Sequence, residues 1–324
     1  MMSNFSSAKF WIGGNILHYS LSEIESLVLL ESFDSMGIRS IDTSSSYSFG
    51  ASENIVGKWI WENRNRRNEF VISTKVGLQS GQSAAGLGTG TSILNSLYSS
   101  LDRLQTDYLD ILFLHAPDPI TDVKETVSAF VELRSRSLIG GFGLCNASEV
   151  DVVRYLETIE EVGGDSKDFY IQNYFNWAKR DEHYWEGLKG LTSENDWNSV
   201  SYGIIGRGVF APDVGKTDIN SRRLKSRSVK SDWDDAKLLR SLKFVDEICE
   251  ARNESLYSFS LAFSYYLSDF SIIAIRTPRQ LDDFRLFSLN LMDKAKFFTL
   301  LSEIRALHLE FEASLGDPNS PDRM

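Results

Sequence analysis

The strongest constraint on how this chain folds is a count. Eight short segments rich in apolar, β-branched and aromatic residues read as buried strands. They are "FWIGG" (10–14), "IRSID" (38–42), "FVISTKV" (70–76), "YLDILFLH" (108–115), "IGGFGL" (139–144), "FYIQNY" (169–174), "VSYGIIG" (200–206) and "FSIIAIR" (270–276). Segments of helical period lie between them, over 21–37, 52–64, 92–105, 126–137, 147–163 and 234–253. Gly37 reads as a helix stop, and Ser52 and Ser92 as N-caps. Strands alternating with helices pair in parallel through right-handed crossovers. Eight repeats in 324 residues therefore predict an α/β fold, a closed (β/α)8 TIM barrel, as one domain over 1–324. A doubly wound sheet is the competitor, but no G-x-G-x-x-G stands between a strand and a helix. "GLGTG" (86–90) lies well past the nearest strand, so the Gly/Ser stretch 80–92 reads as a mobile loop.

The totals agree with a large enzyme-sized barrel. With 42% hydrophobic residues the chain can bury a core without disulfides or metals. A net charge of -11 argues against a nucleic-acid footprint. Cys145 and Cys249 are far apart and make no CxxC, which points to a reducing compartment and a cytoplasmic location. The N-terminal "MMSNFSSAKFWIGG" has no basic stretch followed by an apolar one, so no secretion signal is expected. No apolar run approaches a membrane span, so no membrane partner is expected.

In a barrel of this type the chemistry gathers at the C-terminal ends of the strands. Those ends present Asn15, Asp42 with Tyr47, Lys75, His115, Asn146, Gln172, Tyr202 and Arg276. Taken singly each has a structural reading. Asp42 could be a turn former, Lys75 a paired core lysine, and His115 a hydrogen-bonded histidine after "ILFL". Taken together they read as a site. A phenol titrates near 10, too high for easy proton donation near neutrality. An ammonium at Lys75 would lower that pKa, and Asp42 would hold the ammonium in place. His115 can hydrogen-bond an incoming oxygen, so the set suits protonation of a carbonyl oxygen as hydride reaches carbon. Side chains provide no hydride, so a nicotinamide cofactor is required. His18, His183 and His308 share no metal-ligand spacing, and no metal site is expected. Tyr47, His115, Phe175 and Trp177 suggest a partly aromatic pocket.

These residues fall into motifs that resemble the aldo-keto reductases, in particular the longer-chain branch related to the voltage-gated potassium channel β-subunits. "DTSSSYSFGASENIVG" resembles D-T-A-x-x-Y-G-x-G-x-S-E-x-x-L-G, and "SSLDRLQTDYLDILFLHAPD" resembles S-L-x-R-L-x-x-D-Y-[IL]-D-L-x-x-x-H-x-P-D. "STKVG", "GFGLCN", "IQNYFN", "SYGIIGRGVF" and "IAIRTPRQLDDF" resemble further family segments, so the likeness runs from about residue 10 to 285. It implies Tyr47 as general acid, tuned by Lys75 and Asp42, with His115 orienting the carbonyl. It implies NADPH (NADH possible) bound without a Rossmann domain, with Asn15, Asn146, Gln172, Tyr202, Arg207, Arg276 and Gln280 as cofactor-binding residues. Asn146 and Gln172 would hold the carboxamide, Tyr202 would stack on the ring, and Arg207 would meet the pyrophosphate. Arg276 and Gln280 would stand at the adenosine end, where arginine favours a 2′-phosphate.

Departures mark where the resemblance thins. Ser48 replaces a glycine, Cys145 a serine, Gly203-Ile204 a Ser-Pro pair, Ala274 a glycine and Phe284 an asparagine expected at adenine. The catalytic four are intact, while positions that clamp the cofactor have drifted. Three functions are compatible with the residues. The first is an NADPH-dependent reductase of a small-molecule aldehyde or ketone. The second is a nicotinamide-binding regulatory subunit with little turnover. The third is a sugar or sugar-nucleotide ketoreductase, suggested by a basic stretch with Arg222, Arg223, Lys225, Arg227 and Lys230. Loops 78–91 and 207–233 are expected over the C-terminal face.

Overall fold

Eight parallel strands pair in chain order and the last returns to the first, closing a barrel. The computed structural model describes residues 6–78, 84–179, 183–191, 197–211 and 235–314, with side chains at 235–240 and 308–314 excepted. The strands are β1 (Phe10–Gly13), β2 (Ser40–Asp42), β3 (Val71–Val76), β4 (Leu109–Leu114), β5 (Ile139–Cys145), β6 (Phe169–Tyr174), β7 (Trp197–Tyr202) and β8 (Phe270–Ile273). Helices cover the outside of the barrel between them.

Alternation along each strand separates two apolar packings. Trp11, Ile111, Phe113, Cys145, Val200 and Ile272 fill the interior. Their neighbours Ile12, Ile41, Ile72, Leu112, Leu114 and Leu144 join the cluster that also contains helical residues such as Leu30, Ile55 and Leu97. The same alternation explains Asp42 and Lys75. Ile41 belongs to the outer packing and Ile72 does too, so Asp42 and the residues Ser73 and Lys75 turn the other way, into the top of the barrel.

Local signals explain the helix ends. The helix Glu23–Ser35 opens on a capping box between Ser22 and Glu25. It closes on Gly37, whose φ of +74° lets Gly37 N–H donate to Asp34 O (2.8 Å) and Ile38 N–H to Phe33 O (3.0 Å). Between the helices Ala51–Glu62 and Gly90–Leu104 the approach is close enough that a Cβ on Gly57 would lie 2.1 Å from Arg103 O.

Strand β8 ends at Ile273 rather than at 276, and four further details differ from the sequence reading. Strand β7 runs 197–202 rather than 200–206, because Gly203 (φ +69°) turns the chain and Gly206 N–H donates to Gly203 O at 2.8 Å. Ile204 is buried as a turn residue, which gave the segment its strand-like look. Ser52 is not an N-cap: the helix starts at Ala51 after left-handed Gly50, and the Ser52 hydroxyl donates to Gly14 O at 2.8 Å. Ser92 is not one either, since Thr89 caps that helix by accepting from Ser92 N–H.

The fourth concerns the stretch read as a mobile loop. Its residues 84–89 are anchored by the carboxylate of Asp118, which accepts from Gly86 N (2.9 Å), Gly88 N (2.8 Å), Ile120 N (3.0 Å) and Thr121 Oγ1 (2.5 Å). Those donors outweigh burial and hold the Asp118 carboxyl well below the usual carboxylate range. The basic residues Arg222, Arg223, Lys225, Arg227 and Lys230 lie outside the described residues. Among the described residues, no helix is long and apolar enough to cross a membrane.

Candidate active site

The strand ends converge on one cleft of about 530 Å³. Three of the four residues read as catalytic, Asp42, Tyr47 and His115, line it. So do all seven read as cofactor-binding: Asn15, Asn146, Gln172, Tyr202, Arg207, Arg276 and Gln280. Lys75 lies beneath the cleft wall, with its side chain 1% exposed.

The Lys75 Nζ is 2.5 Å from Asp42 Oδ2 and 2.9 Å from Thr43 O. The other carboxylate oxygen, Asp42 Oδ1, accepts from Ser73 Oγ (2.8 Å) and Gln172 Nε2 (3.0 Å). The Lys75 Nζ also stands 5.0 Å from the centroid of the Tyr47 ring. His115 meets the Tyr47 ring edge-on, with centroids 5.9 Å apart. The centre is an ion pair closed from below, with two aromatic groups facing the cleft.

Environment sets each proton. Burial works against the charge on Lys75, but Asp42 and Tyr47 hold its ammonium above the ordinary lysine value. Burial, and then the Lys75 charge, push the His115 imidazole down to about 3, so the ring is neutral. Burial raises the Tyr47 phenol, and Lys75 opposes this without overcoming it. Lys75 acts in the expected direction, but desolvation is the larger effect, so the phenol is raised on balance rather than made acidic. The Cys145 thiol is also raised by burial and belongs to the barrel interior.

The cofactor-class residues are already engaged with one another. Tyr202 OH donates to Asn146 Oδ1 (2.6 Å), and Asn146 Nδ2 donates to His115 O (2.9 Å). Asn146 adopts a left-handed φ of +57° to do this. At the far end Gln280 Oε1 accepts from Arg276 N–H (2.9 Å), which fixes the backbone and leaves the Arg276 side chain exposed. Amide and hydroxyl groups at one end and exposed Arg207 and Arg276 at the other suit a long anionic ligand. The donor set therefore fits a nicotinamide dinucleotide.

Sequence reasoning misplaced some groups and missed others. Phe175 and Trp177 do not line the cleft: Phe175 stacks on Phe263 in the core, and Trp177 packs on Phe210 while its Nε1 donates to Ser260. Tyr174 takes the aromatic place instead. In "FYIQNY" the period-two alternation that turns Gln172 inward also points to Tyr174. Phe284 is not at a ligand surface but packs edge-on against Phe10 at 5.1 Å. Glu53 was also missed. It is fully buried and held by Arg103 Nε (2.6 Å) and Thr74 Oγ1 (2.6 Å), and it anchors the helix that follows Tyr47 to β3.

Ser48 and Phe49 are both left-handed, with φ of +49° and +55°, so the turn after Tyr47 keeps a glycine-like conformation without the glycine. Among the described residues, no group of His, Cys, Asp and Glu could hold a metal.

A family model described as "Aldo/keto reductase family" matches residues 11–301. An aryl-alcohol dehydrogenase from Pestalotiopsis microspora is 28% identical over 263 residues, 78% of this chain and 65% of that protein. A Schizosaccharomyces pombe protein provisionally named a voltage-gated potassium channel subunit beta is 30% identical over 180 residues, 54% of this chain and 51% of that protein. The chain thus spans less than two thirds of either relative. Among solved structures, a glycerol dehydrogenase from Gluconobacter oxydans superposes with a TM-score of 0.74 at 19% identity, covering 100% of this chain and 98% of that one.

Proposed function

The chain belongs to the aldo/keto reductase family, and from that premise we propose that it is an NADPH-dependent oxidoreductase that reduces an aldehyde or ketone to the alcohol. The observation that carries this reading is the buried Asp42–Lys75 pair against the Tyr47 ring, beside neutral His115, at the wall of a cleft lined by dinucleotide-suited groups.

When bound, the nicotinamide supplies the hydride that no side chain can. The chain's own residues handle the proton and the ligand. Tyr47 is neutral at rest, so it holds a proton to give to the carbonyl oxygen. Lys75 remains charged and stabilises the phenolate as that proton leaves, and Asp42 keeps the ammonium in place. His115 donates a hydrogen bond to the same oxygen and orients it. Asn15, Asn146, Gln172, Tyr202 and Arg207 hold the nicotinamide half and the pyrophosphate. Exposed Arg276, with buried Gln280 beside it, meets the adenosine end, where the guanidinium favours a 2′-phosphate and hence NADPH.

Turnover tests the proposal. Purified protein with NADPH should reduce members of a panel of aldehydes and ketones. Tyr47→Phe should lose that activity while still binding NADPH, read by quenching of protein fluorescence. Binding of NADPH without reduction of any panel member would favour a regulatory nicotinamide-binding subunit.

A further inference from the structure

The serine run before Tyr47 does more than link two strand-end residues. Ser44 Oγ lies 3.2 Å from His115 Nδ1, and Ser46 Oγ lies 3.4 Å from the same nitrogen. The two hydroxyls are 2.9 Å apart, and Ser46 N–H donates to Ser44 Oγ at 3.2 Å. Ser44 is fully buried. The family pattern that "DTSSSY" resembles carries alanine where Ser44 stands, so this hydroxyl belongs to this chain.

We infer that Ser44 and Ser46 are positioning residues that fix the tautomer of His115, keeping Nδ1 bare and the proton on Nε2. A neutral imidazole carries one N–H, and a neighbouring hydroxyl can give or take a hydrogen bond. With Nδ1 bare, Ser46 and Ser44 can pass their hydroxyl hydrogens along the cluster and end on that nitrogen, so both are satisfied internally. With a proton on Nδ1, three hydrogens and the Ser46 N–H compete for two oxygens. One hydroxyl hydrogen must then leave the cluster: at fully buried Ser44 that strands a donor, and at half-buried Ser46 it gives up an internal bond for solvent. Hydrogen-bond counting therefore selects the bare Nδ1, and the ring stays neutral across the physiological range. The proton on Nε2 is the one His115 needs to donate to a carbonyl oxygen.

This inference rests on the reductase reading only for its consequence in catalysis, and the tautomer is measurable without turnover. The test is two-bond 1H–15N correlation on histidine-labelled protein, with the His115 signals assigned by their loss in His115→Gln. Wild type should show a bare Nδ1 and a protonated Nε2. In the Ser44→Ala/Ser46→Ala protein the two nitrogens should move toward a mixed-tautomer average. Carbonyl reduction should fall about fivefold in kcat, the scale of one lost hydrogen bond, with NADPH affinity unchanged. Ser46→Thr, at the more exposed position, keeps the hydroxyl and should retain both the signature and the rate. A protonated Nδ1 in wild type, or an unchanged tautomer in the double variant, would overturn the inference. Absence of turnover with the expected tautomer would instead count against the reductase reading.

Discussion

Asp42→Asn probes the element on which the site depends most. Asp42 and Lys75 side chains are 3% and 1% exposed and 2.5 Å apart. Removing one member of a buried pair leaves the other charged and poorly solvated, at about 3–5 kcal/mol. Unfolding entropy for a chain of this length is roughly 0.7 kcal/mol/K, so the melting temperature should drop by about 4–7 °C. The pH dependence should also change. In wild type the Lys75 pKa is raised, so its contribution is fully present below the unfolded value of about 10.4 and is lost only as pH climbs through the folded value. Lys75 should thus add no slope to the wild-type stability between pH 7 and 9.

In the variant, burial is no longer offset, so the folded pKa of Lys75 falls below the unfolded one. The unfolded chain then binds the extra proton, and stability should rise as pH increases through the lowered value. Thermal unfolding followed by circular dichroism at pH 7 and pH 9 reads both effects. Adding Lys75→Met to Asp42→Asn should restore much of the loss, since neither charge remains. A single-variant loss below about 1 kcal/mol, or equal losses at both pH values, would refute a closed, solvent-excluded pair.

Three further outcomes follow from the same site. His115 is pushed down to about 3, so kcat/KM should show no imidazole inflection between pH 5 and 8. An inflection in that range that disappears in His115→Gln would contradict a buried neutral ring. The unfolded chain takes up this proton near pH 6.5 and the folded chain only near 3, so stability should decline as pH falls through that window, read by urea titrations. Ser48→Gly should stabilise by up to about 1 kcal/mol, because left-handed backbone costs a non-glycine residue roughly 1–2 kcal/mol and glycine entropy returns part of it. A lower melting temperature in that variant would show that Ser48 makes a compensating contact.

What could be read from the sequence follows the range of each signal. Strand identity and the inward set Asp42, Lys75, Gln172 and Tyr202 were legible because period two and strand-end polarity are local. The β7 boundary failed because "GIIG" is apolar whether it continues a strand or turns under the barrel, and only the left-handed Gly203 separates the two. Ser52 and Ser92 misled for a related reason. A serine near a helix start is a capping candidate by type, but Thr89 sits in the capping position and Ser52 is drawn to Gly14 O on another strand end. Phe175 and Trp177 were misassigned because aromatic residues beside a site pack into the core as readily as they line a cleft. The Ser44–His115 contact joins residues 71 apart and exists only once the barrel closes.

That closure also changes how the proposed proton donor, Tyr47, is understood. A sequence with tyrosine and lysine at neighbouring strand ends invites the idea of a phenol made acidic in advance. The folded environment does something else. Lys75 is held charged, while Tyr47 and His115 are held neutral, and all three states persist across the physiological range. A phenol with a raised pKa loses no proton to solvent at rest, so it remains loaded. The ammonium beside it acts when negative charge develops on the phenol oxygen, which is when stabilisation accelerates a reaction. In the proposed reaction burial would keep the acid loaded, and the Asp42–Lys75 pair would lower the barrier to discharging it. Neither could do its part if the pair were open to water, because screening would weaken the ammonium and solvation would let the phenol relax toward its ordinary value.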